Sequence, residues 1–226
     1  MIAILSVLSV SGCTTIQVDA PALARVKRVV ILGFFANRDV ELALASQSFN
    51  QARHDGEDIV PKALPVFTEK LYRMGRFNVL PCEFITTTQA YRAYRPTPPR
   101  YRKGIELVTA PKLKIVNGED DIKVIGEIVK AAGIDGGVVV ESWFSTQQRI
   151  AEGDTGSVGG RVRIQIKMVN AAGAVVWSDL IEGNSEDLAR VSGGTYTFPN
   201  EIVKVVNQAF DRGADEAIQH LKDKLP

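Results

Sequence analysis

The sequence predicts an α/β protein: one mixed sheet with helices packed on it, finished by an antiparallel meander and a last helix. Three observations predict it. Arg28-Val-Val-Ile-Leu-Gly-Phe-Phe35 is an unbroken run of β-branched and aromatic residues, the pattern of a strand covered on both faces. An amphipathic helix follows, so strand and helix alternate as they do in layered α/β folds. Later, Arg161 to Val169 alternates strictly, with Val162, Ile164, Ile166 and Met168 inward and Arg161, Arg163, Gln165 and Lys167 outward.

The elements take this order. After the first strand, 37–57 is polar and irregular, with a weak helical stretch near Glu41–Gln51. Asp58 is placed to cap a helix with Pro61 in its first turn, where a missing N–H costs little. Val60, Leu64, Phe67, Leu71 and Met74 form its apolar stripe, and Gly75 is its stop. Arg76 to Pro81 reads as a second strand. Residues 83–117 break the rhythm and read as an insertion. Glu119, Asp120 and Asp121 then sit at a helix start, where acids suit the macrodipole, and Ile122, Ile125, Val129 and Ala132 make the next stripe. Gly136 to Phe144 is a buried strand. Thr146–Gly160 reads as a polar, Gly-rich hairpin tip. Ala171–Ala174 is a turn, Val175 to Glu182 the returning strand and Ser192–Thr197 a loop. Pro199 opens a last helix that buries Ile202, Val206, Phe210, Ala214, Ala217 and Leu221.

The N-terminus carries the strongest localisation signal. Met1 to Val10 is an uncharged apolar run ending in Val10-Ser11-Gly12-Cys13, the pattern of a lipobox. Residues 1–12 read as a signal peptide, Cys13 as the lipid-bearing first residue, 13–27 as a tether and 28–226 as one α/β domain carrying the insertion. No Lys or Arg precedes Ile2, so this reading expects the true start upstream of Met1, or a trimmed sequence. The competing reading makes Ile2–Val10 a buried strand and Cys13 a core cysteine. The run is too short to span a bilayer as a helix. With Cys13 lipidated, Cys82 has no partner for an intramolecular disulfide. A net charge of +1 supplies no global field for nucleic acid.

Three segments resemble a bacterial envelope family. Met74-Gly-Arg-Phe-Asn-Val79 is similar to a helix-to-strand step in the curli channel subunit CsgG and the TolB N-terminal domain. Ala131-Ala-Gly-Ile-Asp-Gly-Gly-Val-Val-Val140 resembles the family's next helix-to-strand turn, and Val162–Ile181 its hairpin with Trp177 after the turn. LpoB and PelC share that fold behind a lipobox. The resemblance covers roughly 28–82 and 120–225. It implies a lipid-anchored periplasmic domain that binds or assembles, here expected as a ring-forming oligomer, and Thr14 rather than Asp after Cys13 resembles the default that sends lipoproteins to the outer membrane. Residues 83–117 have no counterpart in the pattern. The Thr146–Gly160 tip lacks the outward apolar band of a membrane barrel, so no pore is expected.

Catalytic patterns are sparse. No Gly-x-Ser-x-Gly elbow is present, and His54 and His220 read as surface groups without metal-ligand spacing to Cys82. Gly153 to Gly160 lacks the Lys-Ser/Thr ending of a phosphate loop. No metal or cofactor is expected, and Cys82 reads as a buried small hydrophobe. The candidate partner-binding residues are Tyr91, Arg92, Tyr94, Arg95, Arg100, Tyr101, Arg102 and Lys103, because Arg and Tyr carry interface energy. Tyr196 and Phe198 form a second candidate loop. The sequence therefore predicts a non-enzymatic accessory of envelope assembly or secretion, working through protein partners. The alternatives are a regulator of a cell-wall synthase and a binder of anionic glycan.

Overall fold

The computed structural model describes residues 16–41, 55–96, 105–116, 121–152, 155–192, 195–196 and 199–225. The elements in chain order are β1 (Gln17–Val18), α1 (Ala20–Leu23), β2 (Arg28–Asn37), α2 (Asp55–Arg73), β3 (Asn78–Leu80), α3 (Cys82–Thr86) and α4 (Gln89–Ala93). They continue as β4 (Leu107–Thr109), α5 (Ile122–Ala131), β5 (Gly136–Glu152), β6 (Thr155–Asn170), β7 (Val175–Ser192), β8 (Thr195–Tyr196) and α6 (Pro199–Lys224). Among the described residues, eight strands form one sheet in the order β1-β7-β6-β5-β2-β3, with β4 on β2 and β8 on β7. β2 runs parallel to β3 and β5, whereas β5, β6 and β7 form an antiparallel meander. The α/β class, the mixed sheet, the meander and the final helix are those predicted.

Burial explains the pattern. Val29 to Asn37 is buried residue by residue, with β3, β4 and β5 paired beside β2 and α2 and α3 packed on it. Phe34 meets Phe210 of α6 edge-on at 5.7 Å. Where the β2–β5 ladder ends at Ala36–Ser142, the Asn37 amide continues it. Its Nδ2 donates to the Phe144 carbonyl (2.9 Å), and the Phe144 N–H donates to its Oδ1 (2.7 Å). Lys70 of α2 pairs with Asp211 (2.9 Å) and Asp215 of α6, tying the two helices together.

Several expectations are corrected. Helix α2 begins at Asp55 rather than after Asp58, so Pro61 and Pro65 lie inside it. The earlier start is fixed by Gly56, whose N–H donates to the Arg38 carbonyl (2.8 Å), drawing the helix onto the end of β2. Leu64 and Met74, expected in the stripe, are only half-buried, while Ile59 and Ala63 are buried instead. Gln17–Leu23, within the expected tether, are folded: β1 pairs with β7, and Leu23 is fully buried. Asp121 precedes α5 but does not cap it with its side chain.

The largest correction concerns Thr146–Gly160. It is a hairpin, but its strands reach further than expected: β5 and β6 pair out to Glu152–Thr155, with a bulge between Gln148 and Ile150. Gly160 and Gly183, on adjacent strands, are glycines for a packing reason. A β-carbon on Gly160 would stand 2.2 Å from the Val205 carbonyl oxygen, and one on Gly183 would stand 2.1 Å from that of Ala209. Helix α6 therefore lies with its backbone directly on β6 and β7. A glycine there is a packing requirement. The Ser192–Thr197 loop is likewise shortened, because Thr195 and Tyr196 pair back onto β7.

Candidate functional site

Within the insertion, α3, α4 and β4 pack on β2, and the packing is built around Lys114. Its ammonium donates to the carbonyls of Tyr91 (2.7 Å), Arg92 (3.0 Å) and Tyr94 (2.8 Å), closing the end of α4. It also lies 5.3 Å from the Tyr91 ring centre and 5.9 Å from that of Tyr94, a cation–π arrangement. Desolvation lowers its pKa, and the nearby Arg95 charge lowers it further.

The two tyrosines of α4 belong to the fold rather than to its surface. Tyr91 is 1% exposed; its hydroxyl donates to the Leu32 carbonyl (2.8 Å) and accepts from the Lys114 N–H (2.8 Å). Burial pushes its phenol up to about 12. The buried Tyr94 donates to Asp121 Oδ2 (2.5 Å), which is the role Asp121 takes in place of helix capping. Arg92 and Arg95 are exposed and hold backbone carbonyls of Thr86 and Arg92. Of the candidate set, only these two arginines stand at the described surface. Arg100, Tyr101, Arg102, Lys103, Phe198 and Cys13 lie outside the described residues, as do His54, Glu119 and Asp120; Tyr196 is described only as backbone of β8.

A groove opens beside β3, the last strand on its side of the sheet. Its cavity volume is about 420 Å³, and Ile31, Leu64, Thr68, Val79, Leu80 and Cys82 line it. Helix α2 packs over β2 and leaves this strip uncovered. Tyr72, 62% exposed, stands on its rim, and Phe84 of α3 is also exposed. The Cys82 thiol is half-buried, and burial together with Glu83 (Sγ to Oε2, 3.4 Å) raises its pKa. It is therefore a poor nucleophile at neutral pH.

His220 is a second correction. It is a half-buried group of α6 facing the fully buried Asp179 of β7, with Nδ1 3.1 Å from Oδ2 and Nε2 3.6 Å from Glu216 Oε1. Burial raises the Asp179 carboxyl, outweighing the hydrogen bond and charge of His220 that pull it down. No sequence motif marks this pair, because its members are 41 residues apart and meet only through the helix–sheet contact. Among the described residues, no group of three or more His, Cys, Asp or Glu could hold a metal ion, and no helix is long and apolar enough to cross a membrane.

No family model matches the chain, and no curated protein matches it. Solved structures do. A hypothetical protein from Chlamydia trachomatis matches at 11% identity and a TM-score of 0.35, over 87% of this chain and 96% of that one. A structure described as a neuraminyllactose-binding hemagglutinin homolog from Helicobacter pylori matches at 11% identity and a TM-score of 0.37, over 90% of this chain and 84% of that one.

Proposed function

We propose that the chain is a non-enzymatic accessory protein of the bacterial cell envelope, held at the periplasmic face of the outer membrane by a lipid on Cys13 and acting through protein contacts in assembly or secretion. One observation carries the reading: the lipobox cysteine stands only four residues before Gln17, the first of the described residues to pair into the sheet. The three segments similar to the CsgG and TolB pattern support it. So does the uncovered strip at β3 with Tyr72 and Phe84 exposed near it, since aromatic side chains on apolar ground are typical of protein interfaces.

The test is the mass and native size of protein extracted from membranes, wild type beside Cys13→Ala. A diacylglycerol and an acyl chain on Cys13, lost in the variant, with a ring-sized particle, are the expected result. A lipidated monomer would replace assembly with the regulator reading. An unmodified chain retaining residues 1–12 would overturn the anchor and the localisation together.

A further inference from the structure

We infer that β3 and the groove beside it take up the carboxyl-terminal tail of a partner protein as an added strand. The inference deepens the reading that the chain acts through protein contacts and rests on it; it does not use the lipid on Cys13.

β3 is a sheet edge with backbone groups to offer. The Asn78 N–H donates to the Lys27 carbonyl (2.7 Å), and Asn78, Val79 and Leu80 pair in parallel with Arg28, Val29 and Val30. Backbone groups alternate in direction along a strand, so Val79 turns its N–H and carbonyl away from β2. Among the described residues, no strand lies on that side of β3. Pro81, just past the strand, has no N–H, so Val79 marks where a further chain can bond. An antiparallel residue opposite Val79 exchanges both bonds with it and turns its side chain to the same face. That face is the apolar groove, lined by Val79 and Ile31 from the sheet and by Leu64, Thr68 and Tyr72 from α2. An edge strand beside a helix, with an apolar trough between them, is the geometry of strand addition, in which main-chain bonds hold the peptide and alternate side chains fill the trough. An acyl chain would fill the trough and leave the Val79 groups unmet.

Charge at one end of the trough sets which part of a partner fits. Tyr72 also lines a second hollow of about 640 Å³, together with Lys27, Arg73, Arg76 and Phe77, and no acid among the described residues lines it. The acids nearby are engaged. Glu69 of the trough holds Arg73 (2.6 Å), and Asp135 accepts from the N–H groups of Lys27 (3.0 Å) and Arg28 (2.8 Å). Arg76 donates to the carbonyls of Leu23 (3.3 Å) and Ala24 (2.9 Å), which fix its guanidinium without neutralising it. Lys27 stands just before β2 and Arg76 just before β3, at the entry ends of two paired parallel strands. A main chain running antiparallel to β3 ends there. With its last residue level with Phe77, its free carboxylate meets these cations, and its third-last residue lies opposite Val79. The tail is therefore apolar at its last and third-last residues, and its terminus is free.

The experiment screens the full chain carrying Cys13→Ala against displayed random heptapeptides with free carboxyl termini, then follows a selected peptide, labelled with fluorescein, by anisotropy. The screen should enrich Val, Leu, Ile or Phe at the last and third-last positions. Converting the terminal carboxylate to an amide should weaken binding about tenfold, and N-methylation of the third-last residue should do the same. Lys27→Gln with Arg73→Gln should weaken the carboxylate peptide and leave the amide unchanged. A screen that enriches nothing overturns the inference, as does a selected peptide that binds equally well amidated or N-methylated. Self-association of the chain that Val79→Pro abolishes, with no peptide selected, overturns it in favour of a second copy on this edge. Binding of dodecanoate with no peptide selected overturns it in favour of an acyl chain. The mass and native size of membrane-extracted protein decide the anchor and the assembly reading on their own, so the two failures are read separately.

Discussion

Adjacent glycines of β6 provide a sharp test of how α6 is seated. In Gly160→Ala the new β-carbon would stand 2.2 Å from the Val205 carbonyl oxygen, 2.4 Å from its carbon and 2.6 Å from the Val206 nitrogen. All three are backbone atoms, so no rotamer change relieves the overlap. Restoring ordinary contact lifts α6 by about 1 Å, and a gap of that size forfeits a quarter to a half of the attraction at each contact. Ile202, Val205 and Val206 are buried at this contact. Full burial of each is worth about 1.5–3 kcal/mol, so losing a third of it comes to about 2 kcal/mol. Residual overlap brings the expected destabilisation to about 3 kcal/mol. In Gly159→Ala the new carbon points to the other face and meets only the side chains of Arg149 and Ser185, both at 3.3 Å. Alanine is preferred to glycine in a strand by about 0.5–1 kcal/mol, so this variant should be close to neutral. Urea denaturation followed by the fluorescence of Trp177, which is fully buried, measures both. Small, equal losses would show a flexible loop and refute the seating of α6.

Other perturbations test the polar interior. His220→Ala takes the side-chain partner from Oδ2 of the buried Asp179, leaving only the Leu180 N–H on Oδ1, and should cost about 2–3 kcal/mol, with partial recovery on adding Asp179→Asn, read by the same denaturation assay. Because the Asp179 carboxyl is raised in the fold, the folded chain holds its proton more tightly than the unfolded chain. Its contribution is full below the ordinary carboxylate pKa and is lost as pH rises through the folded value. The stability of wild type relative to Asp179→Asn should thus fall from acid toward neutral pH; a rise would refute the burial argument. Tyr91→Phe strips partners from the Leu32 carbonyl and the Lys114 N–H and should cost about 1–3 kcal/mol. In an absorbance titration it should also remove the tyrosine step near pH 12. The Cys82 thiol should react slowly with iodoacetamide at pH 7, and Glu83→Gln should speed it by removing the neighbouring charge that helps to raise its pKa.

The strands and helices with a local signal were legible in the sequence. Strict alternation marks β6, the unbroken apolar run marks β2, and six apolar positions on one face mark α6. What escaped depends on partners distant in the chain. Gly160 reads as loop because glycine weakens an isolated strand, and its reason, the backbone of Val205, lies in another element. Tyr91 and Tyr94 sit among arginines and prolines that suggest a surface, yet Lys114, twenty residues beyond Tyr94, draws them inward. The apolar groove has no sequence signature, since it arises from α2 packing over β2 and leaving β3 uncovered.

The glycine-seated helix also sets the order in which the molecule is completed. Until the 26 residues of α6 are available, Ile164 and the apolar positions beside it on the meander lack the helix that packs on them. The cover follows the strands in the chain, so a chain emerging N-terminus first completes this contact only after α6 has emerged. The same delay makes a chain shortened before Pro199 a template for strand-on-strand aggregation rather than a smaller working domain.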